Sequence, residues 1–300
     1  MKIFMSCALI LLLQYVVATE IEPMKIARDD GSDILYYYHQ EDDNNDTLFV
    51  IIQGSACISV PYQYGRMSLF ADLNFKADTL WVEKYGLINE GRDAECPSTF
   101  IENNSPLQRV DDYVTVFRQL SGRYKHIILL GVREGAAIMS LLLANENLPI
   151  SAAIAINTGA GSYANDMVWR IETAESLDDL VLEHPVISKF LEQGQNGEIT
   201  NDIGFLDHNY HWWYEMLNTN MYNTLKNSHK PLLIIQGLAD RYMSSDIYIS
   251  SYYCLISKEN VTVYYYKNLN HELADSFDQP DIPKVLTDIQ SWLNHLNNID

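Results

Sequence analysis

Five residues, Gly131-Val132-Arg133-Glu134-Gly135, have the spacing of a G-x-S-x-G nucleophile elbow, with arginine where the serine should stand. Glycines at both ends of such a stretch allow a sharp strand-to-helix turn. That turn lifts the central side chain into a pocket, at a helix N-terminus that favours an anion. Two polar groups follow later in the chain, each after an apolar run: Asp240 in Gln236-Gly237-Leu238-Ala239-Asp240, and His271 in Asn268-Leu269-Asn270-His271-Glu272. An aspartate beside a histidine is the orienter and base that activate a hydroxyl nucleophile. An earlier loop, Gln53-Gly54-Ser55-Ala56-Cys57, consists largely of small residues whose backbone N–H groups can face a pocket, as an oxyanion hole requires. Taken singly, each is also ordinary structure: a tight turn, a helix cap, a surface histidine.

Arginine changes what this constellation can do. A guanidinium is cationic at every accessible pH, offers no lone pair and cannot be deprotonated by histidine. Serine-type acyl transfer at position 133 is therefore excluded on chemical grounds. Other nucleophiles fit less well. Glu134 would break the two-residue spacing from Gly131, Ser55 sits on the oxyanion side, and Ser140 lies too far along the following helix. Water activated by His271 and Asp240 would give weak hydrolysis at most. The elbow should hold Arg133 at positive φ, at a cost of ~1 kcal/mol. Two arrangements are expected for its side chain: pairing with Asp240, which fills the pocket, or an open pocket that binds a small anion such as a carboxylate.

The elements that must position these groups alternate as in a mostly parallel sheet covered on both faces. Apolar runs predict strands at Thr47 to Gln53, Ala77 to Glu83, His126 to Leu130, Ile150 to Ile156, Pro231 to Gln236 and Val261 to Tyr266. Helical spacing predicts helices over Ser105 to Ser121, Ala136 to Asn145 and Ile282 to Leu296. Residues about 163–228 are polar, helical and rich in aromatics, including His208-Asn209-Tyr210-His211-Trp212-Trp213, and predict a cap inserted above the sheet. The candidate groups then fall at the carboxyl ends of strands, where such sheets gather function.

The order elbow, Asp, His resembles the α/β-hydrolase superfamily. The likeness extends to exported bacterial members with an Ile-Gln-Gly-Ser-Gly-Cys-type oxyanion loop and a Val-Glu-Lys segment after the next strand. Here those segments read IIQGSACIS, Ile51 to Ser59, and LWVEKYG, Leu80 to Gly86. The resemblance covers most of the chain after its leader, and least the cap. It implies an α/β fold, a doubly wound sheet with a helical cap. It also implies Asp240 as triad acid, His271 as general base, and the backbone N–H groups of Ser55, Ala56 and Glu134, beside Gly54, as oxyanion donors. The chain departs from the pattern at Arg133 and at Ala56, where the pattern has glycine.

Bulk composition narrows the partners. With 20 basic and 40 acidic residues the net charge is −20, a surface that repels phosphate backbones and anionic headgroups and so disfavours nucleic acid. The opening MKIFMSCALILLLQYVVATE reads as a signal peptide ending at Ala18, leaving one domain over residues 19–300 and a periplasmic or secreted location. An uncleaved anchor is the alternative, against which the apolar run falls short of the ~20 residues of a spanning helix. After the leader, Cys57, Cys96 and Cys254 remain. In an oxidising compartment one bridge and one free thiol is the simplest arithmetic, with Cys57 and Cys96 as the pair, while three buried thiols stay open. His208 and His211 lack a clear third metal ligand, and nothing requires a metal or cofactor. The expectation is a pseudo-hydrolase that binds a small ligand or a protein partner. The alternative is an active ester, thioester or peptide hydrolase using His271 and Asp240 with another nucleophile.

Overall fold

The computed structural model describes residues 22–41, 43–63, 70, 73, 75–91, 94–158, 161–173, 207–243, 245–275 and 282–296. The expected leader, residues 1–18, and the middle of the expected cap, residues 174–206, lie outside the described residues.

Among the described residues eight strands form one sheet: β1 (Met24–Ala27), β2 (Asp33–His39), β3 (Thr47–Ile52), β4 (Asp78–Val82), β5 (His126–Val132), β6 (Ile150–Ile156), β7 (Leu232–Gly237) and β8 (Val261–Tyr266). Their order is β1-β2-β4-β3-β5-β6-β7-β8; the β1–β2 and β2–β4 pairs are antiparallel and the remaining pairs are parallel. Crossing from one parallel strand to the next requires helices, and these cover both faces. Side chains alternate accordingly. Leu48, Val50 and Ile52 of β3, with Ile127 and Leu129 of β5, enter one core layer. Phe49 and Ile51, with Ile128 and Leu130, enter the other. Burial on both faces is why these strands read as unbroken apolar runs.

The helices are α1 (Ser98–Asn103), α2 (Pro106–Gln119), α3 (Glu134–Leu143), α4 (Tyr163–Thr173), α5 (Tyr210–Asn218), α6 (Met221–Asn227), α7 (Ser245–Ile256) and α8 (Ile282–Leu296). Ser105 caps α2 by accepting from the Gln108 amide at 3.3 Å, with Pro106 at the first helical position. Helix α8 turns Val285, Ile289, Trp292 and Leu293 into the second core layer, the stripe its periodicity predicts. Helices α2, α3, α5 and α6 close the first layer.

The six strands and three helices expected from the sequence are present, each end lying within two residues of expectation. Four elements lack a strong sequence signal. Strand β1 is largely exposed, β2 is a tyrosine-rich segment paired between β1 and β4, and α1 is short. In α7, Ser and Tyr mask the periodicity, although Tyr248, Tyr252 and Leu255 stand at spacings of four and three and are buried.

Candidate active site

The elbow sits between β5 and α3. Arg133 lies there at φ 57°, ψ −120°, as its position in a sharp strand-to-helix turn requires. Both flanking glycines are sterically obligatory. A Cβ on Gly131 would collide with the Gly135 carbonyl, and one on Gly135 with the Ile52 carbonyl of the neighbouring strand. The turn is therefore built for close approach, whichever side chain it carries.

Asp240 follows β7 and His271 follows β8, and the fold brings them together. His271 Nδ1 lies 2.7 Å from Asp240 Oδ2, while Asp240 Oδ1 accepts from the Tyr242 amide at 2.8 Å. The Tyr242 ring packs on the imidazole with centroids 4.6 Å apart. Backbone bonds tie the two loops, among them Ala239 N–H to the Leu269 carbonyl at 3.0 Å. An imidazole so oriented has its Nε2 left for a substrate-side proton, as a general base needs.

Arg133 does not pair with Asp240. Its Nε and an Nη donate to the His271 backbone carbonyl at 3.2 and 3.0 Å, and the guanidinium meets Glu272 Oε2 at 2.5 Å. The expected fill of the pocket by an Arg133–Asp240 pair is thus corrected: Asp240 already serves His271, and the nearest available carboxylate belongs to the residue after it. Asn157, just after β6 with φ 51°, donates its side-chain Nδ2–H to the same His271 carbonyl at 2.9 Å. Its Oδ1 accepts from the Gly237 amide at 3.0 Å, so one asparagine links β6, β7 and the histidine loop.

The residues expected as oxyanion donors lie at the same pocket. Gly54 lies beside the Arg133 side chain, and Ser55 follows it at the pocket rim. Among the described residues, the backbone N–H groups of Ser55, Ala56 and Glu134 donate to no protein acceptor. The Glu134 side chain is not available as a nucleophile. One oxygen accepts from Arg109 at 2.5 Å and the other from Trp212 Nε1 at 3.1 Å. Arg109 also donates to the Gln53 carbonyl at 2.8 Å, and Lys84 Nζ to Gln53 Oε1 at 2.9 Å. A buried charged scaffold therefore holds Gln53, the residue that opens the Gly54–Ser55–Ala56 loop. Burial pushes the Lys84 ammonium down and the Glu83 carboxyl up from their ordinary values. Cys57 and Cys96 form a disulfide beside this loop, and Cys254 is free and exposed.

Arg133, Asp240 and His271 line a cavity of about 350 Å³ together with Tyr163 of α4 and Trp212 and Trp213 of α5. The cap aromatics are in part packing. His208 stacks on Trp212 with centroids 3.7 Å apart, and burial holds its pKa down to about 4. His211 bonds to Glu215 at 2.7 Å. Among the described residues no cluster of His, Cys, Asp and Glu could hold a metal ion. Glu272, Asn157, Tyr242 and Arg109 carry no motif, and sequence reasoning did not single them out; only the sharp-turn requirement at the ends of β5 and β6 hints at Asn157.

No family model matches the chain, and no curated protein matches it in sequence. Solved structures do. "Lipase (Open form)" superposes with a TM-score of 0.62 at 13% identity, covering 92% of this chain and 99% of that one. The "Alpha/beta hydrolase GrgF" from Penicillium sp. sh18 gives 0.60 at 12% identity, covering 91% and 98%. The chain has the α/β-hydrolase fold. Est1E from Butyrivibrio proteoclasticus, with a TM-score of 0.58 at 12% identity over 91% and 98% of the two chains, shares it. Such low identity carries the α/β-hydrolase architecture alone, so the chemistry must be argued from the site.

Proposed function

We propose that this protein is an exported pseudo-hydrolase: an α/β-hydrolase scaffold that binds a small ligand at its former catalytic pocket and does not perform serine-type acyl transfer. One observation carries this reading. The nucleophile position holds a guanidinium engaged with Glu272 and with the His271 carbonyl, while the Asp240–His271 pair beside it stays assembled. Base, orienter and oxyanion donors without a nucleophile leave a site suited to recognition. Export is supported by the apolar leader and by a disulfide, which belongs to an oxidising compartment. Among the described residues no helix is long and apolar enough to cross a membrane.

The test is hydrolysis of short-chain nitrophenyl esters by the natural protein, Arg133→Ser, and His271→Ala in both backgrounds. The natural protein should show no turnover. Arg133→Ser should gain it, because Asn157 still holds the His271 carbonyl when the arginine is gone. Adding His271→Ala should then remove roughly two to four orders of magnitude. Turnover by the natural protein that depends on His271 would defeat the proposal. The ester, thioester or peptide hydrolase reading would then stand, with Ser55, which lines the same cavity, or activated water as the nucleophile.

A further inference from the structure

Arg133 and Glu272 form an ion pair and line two cavities, which share Ser55, Arg133, His271 and Glu272. The cap-side cavity is lined by the charged side chains of Glu134, Asp166, Asp240 and Arg170 as well, a polar wall poorly suited to an apolar tail. The second cavity, of about 320 Å³, is walled by Ile58, Phe70, Val132, Leu273 and Ile282. Among its described lining residues, Arg133 and Glu272 carry the formal charges. An apolar chamber whose mouth holds a cation clasping a carboxylate defines its own ligand by example: an acid with an apolar tail.

The geometry favours exchange of that carboxylate. The Glu272 side chain is 45% exposed and belongs to the turn after His271, and ion pairs at such exposure hold weakly. Arg133 is anchored independently by its two bonds to the His271 carbonyl, so its guanidinium stays aimed when Glu272 leaves. A planar guanidinium preorganised in this way suits a carboxylate.

We propose that Arg133 anchors an apolar monocarboxylate whose tail enters the Ile58–Phe70–Leu273 chamber, and that Glu272 is a built-in competitor for the same seat. This ligand assignment rests on the reading of the protein as a binder. Calorimetric titration of the full protein with octanoate, beside octanamide as the uncharged comparator, tests it. Octanoate should bind the natural protein, Glu272→Gln should bind it about tenfold tighter, and Arg133→Gln and octanamide should each cost at least about tenfold. Absence of octanoate binding to both the natural protein and Glu272→Gln would overturn the assignment. So would Glu272→Gln that binds no tighter, or Arg133→Gln that binds as well as the natural protein. Glu272→Gln changes an exposed side chain and keeps the test decisive if Arg133→Gln does not fold. Failure of the binder reading itself is read separately, as His271-dependent ester turnover by the natural protein.

Discussion

At the scale of single residues, the central contrast is between two arginines. Arg133 is 31% exposed and clasps a half-exposed glutamate, so it can change partners. Arg109 is 2% exposed and is held by Glu134 and the Gln53 carbonyl. Removing one member of a buried pair leaves an uncompensated charge in a low dielectric. Glu134→Ala should therefore lower stability by about 3–5 kcal/mol in urea unfolding. A loss below ~1 kcal/mol would mean that Arg109 finds adequate replacement partners, and would remove the charged scaffold from the account of the site. The substitution also deprives Trp212 of its acceptor, so the cap should loosen with it.

Among the elements, the loop between β3 and β4, expected to carry the oxyanion donors, has a covalent tie. The Cys57–Cys96 bridge closes a sequence separation of 39 residues and joins this loop to the one before α1. Cross-linking a loop of that size restricts the unfolded chain, and replacing both cysteines by serine should cost about 2–4 kcal/mol. Peptide mapping without reductant should recover the two linked and Cys254 alkylatable. If both cysteines of the pair are alkylatable in the folded protein, the bridge is absent and the loop must be held by other contacts. Those exist: Glu83 accepts from the Val60 amide at 2.7 Å, and Lys84 donates to Gln53. The bridge thus reinforces a wall that hydrogen bonds already shape.

For the whole molecule, stability should depend on pH through a histidine that is not part of the Asp240–His271 pair. Burial holds His208 at a pKa of about 4, against about 6.5 when unfolded. Between those values the unfolded chain binds the extra proton, so stability is fully present above pH 6.5 and is lost as pH falls toward 4. The difference of roughly 2.5 units corresponds to about 3 kcal/mol at full effect. His208→Phe keeps a flat ring against Trp212 and removes the titration. Its denaturation midpoint should change less between pH 7 and 4.5 than that of the natural protein, and equal slopes would show that His208 does not remain neutral in the fold. The change lies in the cap, so it should not alter the Asp240–His271 geometry.

Much of this was legible without coordinates, for a local reason. Strands buried on both faces must be continuous apolar runs, a strand-to-helix elbow must place small residues at fixed offsets, and α8 must repeat its apolar residues with the helical period. These rules act within a few residues, so the sequence alone determined the parallel core, the sharp turn at Arg133 and the loops that carry Asp240 and His271. It also determined that position 133 cannot supply a nucleophile, because that follows from side-chain chemistry. Tertiary structure alone decided the partners. Arg133 meets Glu272 and not Asp240, Arg109 reaches Glu134, and Asn157 bridges to the histidine loop, pairings made across 25 to 139 positions of chain. No periodicity encodes them. They arise when separately folded loops are brought to one end of a sheet, and each charge takes the nearest partner the packing leaves within reach.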